Sequence, residues 1–234
     1  MTSIAVLIAS TSNNSGWSTA ADVSFISSTI QSAVSLASDE FKYKFFIGYD
    51  HDDQFFLTHH SELEETLRSM SIDFELTPID NSIHKPCPVW NALFEMAYNE
   101  GFDYFLQAGD DIEFSKPFDS DFISYLKSID NIGVVGGLST HCPTVITQAF
   151  LHRKHMDIFG FLYPPELPDW GSDTWLTLIY KKFKRARISG LHEITNTRIA
   201  GFGLVDRYKV SPDHNEKTSK NVALYTKTLR EKLS

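Results

Sequence analysis

An apolar segment near the middle of the chain ends abruptly in two adjacent carboxylates. Residues 104–108 read Tyr-Phe-Leu-Gln-Ala, and Gly109, Asp110 and Asp111 follow them directly. An unpaired carboxylate inside a buried strand is costly, so both aspartates are expected where the strand ends, at the edge of a sheet. In open α/β sheets this edge binds ligands. Two carboxylates there favour a hard divalent cation together with phosphate oxygens, although Gly-Asp-Asp is equally ordinary in a surface turn.

Strand-like and helix-like segments alternate through residue 138. Apolar runs predict strands, and apolar residues at helical spacing predict helices. The expected strands are 4–9, 41–49, 74–78, 104–108 and 132–138, and the expected helices are 17–36, 58–70, 89–99 and 119–129. This alternation predicts an α/β fold whose mostly parallel sheet is joined by right-handed crossovers. Further on, a strand over 145–151, a helix over 170–183, a strand over 185–188 and a helical tail over 217–233 are expected.

The composition limits the class of protein. The chain has 234 residues, of which 42% are hydrophobic, and this is enough for one large domain with a core. No linker or internal repeat is visible, so a single domain over 1–234 is expected. The net charge of −9 argues against a nucleic-acid partner, because such proteins carry a basic footprint.

The N-terminus and the cysteines bear on the cellular location. The apolar run 4–9 is too short to span a membrane and lacks the basic region of a signal peptide. Cys87 and Cys142 lack the paired spacing of a zinc site or a disulfide framework, so free thiols are expected. These features predict a soluble cytoplasmic protein with no signal peptide and no membrane span.

Polar segments follow the first two predicted strands as well. The loop 10–16 reads Ser-Thr-Ser-Asn-Asn-Ser-Gly, and Asp50-His-Asp-Asp53 ends the second strand. Because parallel strands end at one edge of a sheet, these segments are expected to lie near Asp110. The loop offers hydroxyl and N–H groups to a nucleotide, but it lacks the Gly-rich patterns of phosphate loops and dinucleotide-binding folds. An ordinary ATPase or dehydrogenase is therefore not expected.

The second half of the chain offers three further candidates. Asp173 lies near a predicted helix start, where it acts either as an N-cap or as a general base that the helix dipole keeps ionised. His192 follows the last predicted strand and is either a polar loop residue or a third metal or phosphate ligand. Arg207 lies in a Gly-containing segment that forms either a surface loop or a closing loop neutralising phosphate charge.

Taken in order, four segments resemble those of GT-A-fold glycosyltransferases, which use nucleotide-sugar donors. They are the first strand and its loop, 4–16; the acidic strand end, 48–53; Trp90 and Asn91 with the Asp-x-Asp-like region 104–112; and the acceptor-side segment 164–175. The resemblance covers most of residues 1–210. It departs from the family pattern at Ala108, where the first Asp of a triplet ending at Asp110 would fall. Aligning the triplet from Asp111 to Glu113 is less attractive, because Glu113 already belongs to the next segment.

The resemblance implies a Rossmann-like GT-A domain with a mostly parallel central sheet flanked by helices. Residues 1–115 would bind the nucleotide sugar, 116–210 the acceptor, and 211–234 would form a helical tail. The expected donor is a UDP-sugar, with Mn²⁺ or Mg²⁺ held by Asp110, assisted by Asp111 and His192. The residues expected to contact the donor are Ser10, Thr11, Ser12, Asp50, Asp53, Gln107, Asp110 and Arg207.

The same resemblance implies a direction for the chemistry. Asp173 would deprotonate a hydroxyl of a glycan or glycoconjugate acceptor, in a single displacement with inversion. The aromatic residues of segment 159–170 would either stack on acceptor sugar rings or pack locally in the core.

Two other functions stay open at this point. A sugar nucleotidyltransferase shares the fold style and the metal chemistry. Such enzymes, however, resemble one another in a Gly-rich loop after the first strand that carries Arg and Lys. The loop 10–16 has no basic residue, which counts against this alternative. The second is a non-catalytic module that binds a sugar or a nucleotide, and the combination of Asp110 and Asp173 argues against it.

Overall fold

A computed structural model of the chain describes residues 1–197 and 211–233, and its centre is one mixed eight-stranded sheet. The strands are β1 (Ser3–Ser10), β2 (Lys42–Asp50), β3 (Phe74–Ile79), β4 (Tyr104–Ala108), β5 (Ile112–Phe114), β6 (Val134–Ser139), β7 (Phe150–His152) and β8 (Ala186–Asn196). The helices are α1 (Gln31–Leu36), α2 (Gln54–Ser69), α3 (Pro86–Asn99), α4 (Asp119–Ser128), α5 (Lys154–Phe159), α6 (Ser172–Lys181) and α7 (His214–Leu233). The predicted α/β fold with a mostly parallel sheet is confirmed.

The parallel part of the sheet has the order β3-β2-β1-β4. Side chains of β1 alternate between two cores, with Val6 in one and Leu7 in the other, and both are fully buried. Helices cover both faces, which explains why the strand is apolar throughout rather than alternating with polar residues. All four strands end at one edge, which carries Ser10, Asp50 and the turn after Ala108.

The rest of the sheet is mixed. Strand β7 runs antiparallel to β4 and β6, β8 is parallel to β6, and β5 is antiparallel to β8. Gly136 and Gly137 lie inside β6, which continues to Ser139. A Cβ atom at Gly136 would stand 2.5 Å from the carbonyl oxygen of Gln148, so the glycine permits the close approach of the neighbouring chain.

Several predicted boundaries differ from the observed ones. The helix expected over 17–36 is divided into a 3₁₀ turn (Ala20–Asp22), a π-helical segment (Phe25–Ile30) and α1. Hydroxyl side chains explain part of this, because the Ser28 hydroxyl donates to the carbonyl of Ser24 at 2.6 Å and competes with regular helix bonding. Strand β7 is shorter than the segment 145–151, and the short elements β5 and α5 were not predicted.

The C-terminal helix α7 packs against α5 and α6. Gly171 precedes α6 with a φ of 90°, and a Cβ atom there would collide with the hydroxyl of Thr218 in α7. The glycine is therefore needed both for its backbone conformation and for this close approach. Cys87 and Cys142 are free thiols, as predicted. Over 1–197 and 211–233, none of the helices has both the length and the apolar composition to cross a membrane.

Candidate active site

Asp110 lies at the centre of the sheet edge. It follows β4 directly, is 4% exposed, and accepts a 2.6 Å hydrogen bond at Oδ2 from the hydroxyl of Ser10 at the end of β1. The sequence placed both residues at this edge, and the structure brings them into contact. Burial beside a hydroxyl is typical of a carboxylate that is held in one orientation.

The turn that carries Asp110 is fixed from several sides. The N–H of Gly109 donates to Gln148 at 2.7 Å, and its carbonyl accepts a 2.9 Å bond from the hydroxyl of Thr29. The indole N–H of Trp90 donates to the carbonyl of Ala108 at 3.3 Å. Side chains from the π-helical segment and from α3 therefore determine where β4 ends.

Asp111 is connected to a different part of the sheet. Its Oδ1 accepts a 3.1 Å bond from the side-chain amide of Asn196 at the end of β8. Its carbonyl accepts from the N–H of Thr197 at 2.7 Å. Asn196 was not predicted as a site residue, and its only sequence signal is a polar position at the end of the segment 190–196.

His192 was expected to join Asp110 and Asp111 as a third metal or phosphate ligand, but its side chain contacts another part of the chain. It lies inside β8, where its Nε2 is 3.2 Å from Oδ2 of Asp121 in α4. Its ring packs edge-on against Phe122 at 5.2 Å, and Arg187 binds the same carboxylate oxygen. The expectation of a loop failed because β8 continues through an irregularity in its pairing with β6 and ends only at Asn196.

The oxygen ligands fit a hard divalent cation by their chemistry. The carboxylates of Asp110 and Asp111 are the type of ligand that Mg²⁺ and Mn²⁺ prefer. Among the residues that the structure describes, no three or more His, Cys, Asp or Glu side chains form a metal-binding group. A cation at these two carboxylates would therefore complete its coordination with phosphate oxygens and water.

A cleft of about 450 Å³ opens at the ends of β1 and β2. It is lined by Thr11, Ser12, Asn13, Asp50, Asp52, Asp53, Gln54 and His84. Asp50 is 6% exposed and accepts from the amide of Asn81 at 2.6 Å, and Nδ1 of His84 lies 3.2 Å from its other oxygen. Burial raises the pKa of Asp50, while the bonds with Asn81 and His84 act in the opposite direction.

Asp53 and Ser12 build one wall of this cleft. Asp53 caps α2 by accepting from the N–H of Phe55 at 3.1 Å, which starts the helix earlier than predicted. It also accepts from the N–H and the hydroxyl of Ser12, at 2.8 and 2.7 Å. The buried hydroxyl of Thr11 accepts from the N–H of Asn13 at 3.2 Å. These bonds fix the shape of the loop 10–13.

Asp173 is the second residue of α6, and Gly171 rather than Asp173 occupies the N-cap position. The hydroxyl of Tyr163 donates to Asp173 Oδ1 over 3.3 Å. Burial raises the pKa of Asp173 to about 7, and the bond from Tyr163 partly offsets this. The helix dipole alone predicts a carboxylate that is ionised at neutral pH. Desolvation of this half-buried side chain outweighs that effect.

Gln107 faces Tyr163 rather than the cleft. It is 1% exposed, and its Oε1 accepts from the Tyr163 hydroxyl at 3.0 Å and from the N–H of Ala149 at 3.2 Å. A single hydroxyl thus connects β4 with Asp173 in α6. The structure does not bring Gln107 together with Ser12, Asp50 and Asp53, the other residues expected to contact the donor.

The segment between α5 and α6 is attached to α3. Asn91 accepts at Oδ1 from the N–H of Tyr163 at 2.8 Å and donates to its carbonyl at 2.8 Å. Lys85 forms a 2.5 Å ion pair with Asp169. Trp170 is 54% exposed, whereas the other aromatic residues of segment 159–170 pack in the core. Arg207 lies outside the described residues.

Comparisons with known proteins relate this geometry to solved structures. No protein-family model matches the chain, and no curated protein matches its sequence. TarS residues 1–349 from S. aureus, in complex with UDP, match with a TM-score of 0.61 and 12% identity over 96% of this chain and 65% of that chain. GalNAc-T7 with UDP, GalNAc and Mn²⁺ matches with a TM-score of 0.61 and 10% identity over 95% of this chain and 47% of that chain.

A third match is glucosyl-3-phosphoglycerate synthase from Mycobacterium tuberculosis with Mn²⁺ and UDP-glucose. Its TM-score is 0.52 at 10% identity, over 97% of this chain and 79% of that chain. The chain spans less than two thirds of the TarS fragment and under half of GalNAc-T7. The likeness is one of fold, and it confirms the GT-A fold that the sequence resemblance implied.

Proposed function

We propose that the chain is a metal-dependent glycosyltransferase that moves a sugar from a UDP-sugar to a hydroxyl of a glycan or glycoconjugate. One observation carries the proposal: the Tyr163 hydroxyl lies within 3.0 Å of Gln107 in β4 and 3.3 Å of Asp173 in α6. A carboxylate with a pKa of about 7 thus lies near the strand that leads into Asp110. The shared fold with three glycosyltransferases that bind UDP or UDP-glucose supports the same function.

The donor is assigned to the sheet edge. The nucleoside lies in the cleft between the loop after β1 and the end of β2, where Asp50 offers a buried acceptor. Ser10 and Thr11 border the diphosphate, and Ser12 and Asp53 maintain the loop through their mutual hydrogen bonds. Arg207 is assigned to the diphosphate as well, from its positive charge alone.

Asp110 and Asp111 are assigned to the cation. When bound, Mn²⁺ or Mg²⁺ offsets the negative charge that builds up on the departing diphosphate. Ser10 orients Asp110 through the 2.6 Å bond, and Asn196 orients Asp111 through a 3.1 Å bond. His192 is left out of the ligand set, because its contact with Asp121 directs the ring toward α4.

Asp173 is assigned the proton transfer. Its carboxylate takes the proton of the acceptor hydroxyl while the hydroxyl oxygen forms a bond to the anomeric carbon. The bond from that carbon to the phosphate oxygen of the donor breaks, and its electron pair leaves with UDP. Because the hydroxyl attacks from the opposite face, the configuration at the carbon is inverted. A pKa of about 7 suits a general base that works near neutral pH.

Trp170 is assigned to the acceptor. It lies three residues before Asp173, and its side chain is the exposed member of the aromatic residues in 159–170. An exposed indole presents an apolar ring on which a sugar can stack.

A thermal-shift screen of nucleotide sugars, with and without Mn²⁺, tests the proposal. Ligands that bind only the folded state raise the melting temperature, by an amount that grows with their concentration relative to Kd. We expect UDP and a UDP-sugar to raise the melting temperature more with Mn²⁺ than without it, and ADP to raise it less. No shift with any nucleotide sugar, or shifts that are identical without the metal, would contradict the assignment.

A further inference from the structure

We propose that the hydroxyl of Tyr163 is a proton-directing switch for Asp173, donating to Asp173 in one state and to Gln107 in the other. The inference rests on the proposed function, because it explains how the assigned base gains a proton without a loss of hydrogen bonding. Tyr163 touches Asp173 and not the acceptor, so it acts as a positioning residue.

The geometry gives one donor two acceptors. The Tyr163 hydroxyl is 3.3 Å from Oδ1 of Asp173 and 3.0 Å from Oε1 of Gln107. A phenol carries a single proton, so it donates to only one of them at a time. Tyr163 is 0% exposed and Gln107 is 1% exposed, which favours exchange between these partners over exchange with bulk water.

The position of the hydroxyl is fixed by the backbone of Tyr163. Asn91 accepts from the N–H of Tyr163 and donates to its carbonyl, both at 2.8 Å. The Tyr163 ring packs against Trp90 with centroids 6.1 Å apart. The backbone is held by Asn91 and the ring is buried against Trp90, so rotation of the O–H bond selects the acceptor.

In both states, each hydrogen-bonding group of Asp173, Tyr163 and Gln107 in this set of contacts keeps a partner. When Asp173 is charged, Tyr163 donates to it, and Gln107 keeps its bond from the N–H of Ala149. When Asp173 has accepted a proton, its own O–H donates to the Tyr163 oxygen, and the Tyr163 proton turns to Gln107. No buried donor or acceptor loses all its partners in either state, which avoids the cost of an unsatisfied group.

Other titratable groups near Asp173 do not replace this role. Cys87 of α3 faces both Asp173 and Tyr163, and burial raises the pKa of its thiol, so it is neutral at physiological pH. Asp169 also acts on the Cys87 thiol and is paired with Lys85. The bond from Tyr163 is the interaction that lowers the pKa of Asp173 against the effect of burial.

The test measures the pKa of Asp173 by carboxyl ¹³C NMR in the full chain, with the resonance assigned from Asp173→Asn. Tyr163→Phe should raise the pKa of Asp173 by about one unit, because the charged form loses its donor. Gln107→Leu should lower it, because the Tyr163 proton then has Asp173 as its remaining acceptor. Tyr180→Phe is the matched control: it deletes another buried hydroxyl of the same core, bonded to His155 at 2.8 Å, and should leave the value unchanged.

An unchanged or lowered pKa in Tyr163→Phe would overturn the proposal, whether or not Gln107→Leu folds. A melting temperature that falls while the pKa stays constant would overturn it too, since this is the signature of a purely structural hydroxyl. If a transferase activity is present, the acidic limb of its pH profile should shift with the measured pKa. Opposite pKa shifts in a chain that turns over no donor would support the switch and refute the transferase assignment.

Discussion

The hydroxyl of Ser10 and the carboxylate of Asp110 are joined by a 2.6 Å hydrogen bond between residues that lie 100 positions apart in the chain. The bond ties the end of β1 to the end of β4, so the loop of the cleft and the proposed cation ligand form one unit. A displacement of either strand end would therefore change both the nucleotide contacts and the orientation of Asp110.

Asp110→Ala should abolish Mn²⁺-dependent binding of UDP. The variant removes the principal carboxylate, and the remaining charge of Asp111 is held toward Asn196. Calorimetry with UDP, in the presence and absence of Mn²⁺, measures the effect. Asp73→Ala is the matched control, because this carboxylate is 49% exposed and precedes β3 at the opposite end of the sheet. Equal UDP affinity in wild type and Asp110→Ala would remove Asp110 from the cation site.

Ser10→Ala should weaken the affinity for Mn²⁺ by about tenfold in the presence of UDP, since partners that orient a metal ligand typically matter to that extent. The variant keeps the carboxylate but deletes the hydroxyl that holds it. Ser69→Ala serves as the control, because its hydroxyl donates to a carbonyl within α2 and is exposed. A Mn²⁺ titration that gives the same affinity for Ser10→Ala and wild type would show that the orientation of Asp110 does not depend on Ser10.

The position of this edge was predictable because it follows from strand order alone. An apolar run that stops at Asp110 and another that stops at Ser10 must both end where their strands leave the core. Parallel pairing then brings the two ends together. The sequence also contains the local signal for Asp53, a carboxylate directly before a helix that caps it.

Contacts between distant side chains were not predictable in the same way. Gln107 was expected at the cleft, but its partner Tyr163 is 56 residues away and no local pattern indicates it. The direction of His192 depends on the irregular pairing of β8, which sets the face on which each residue lies. The raised pKa of Asp173 depends on burial by segments that are distant in sequence.

Asp173→Asn should lower kcat at pH 8 by a factor of about 10² to 10⁴, the usual contribution of a general base, while the Kd for UDP with Mn²⁺ stays the same. In the wild type, kcat/KM should rise with pH through about 7 as the carboxylate loses its proton, and this rise should be absent in the variant. Donor turnover is followed by release of UDP. Full activity of Asp173→Asn would exclude Asp173 as the base.

The same carboxylate makes stability depend on pH. Its pKa is raised from 3.8 to about 7 in the folded state, so the folded chain binds the proton more tightly than the unfolded chain. This stabilisation is complete below about pH 4 and is lost as the pH rises toward 7. At about 1.4 kcal/mol per pH unit, the loss is at most about 4 kcal/mol.

Urea denaturation of wild type and Asp173→Asn across pH 4–8 measures this contribution. The stability of the variant relative to wild type should increase between pH 4 and 7, because Asn cannot ionise. Glu65→Gln, an exposed change on α2, should follow the wild-type dependence. A difference between Asp173→Asn and wild type that is constant with pH would mean that the carboxylate keeps an ordinary pKa.

Trp170→Ala should raise the KM for the acceptor about fivefold and leave the KM for the donor unchanged. Trp170 is 54% exposed beside α6, so its removal deletes an apolar face without opening the core, and a lost aromatic contact of about 1 kcal/mol has this size. Trp170→Phe keeps a ring and should retain most of the acceptor affinity. Leu178→Ala is the control, because it removes an exposed apolar side chain from α6, eight residues after Trp170 in the sequence. Equal acceptor KM values for Trp170→Ala and wild type would place the acceptor elsewhere, whereas a fall in melting temperature would point to a packing role.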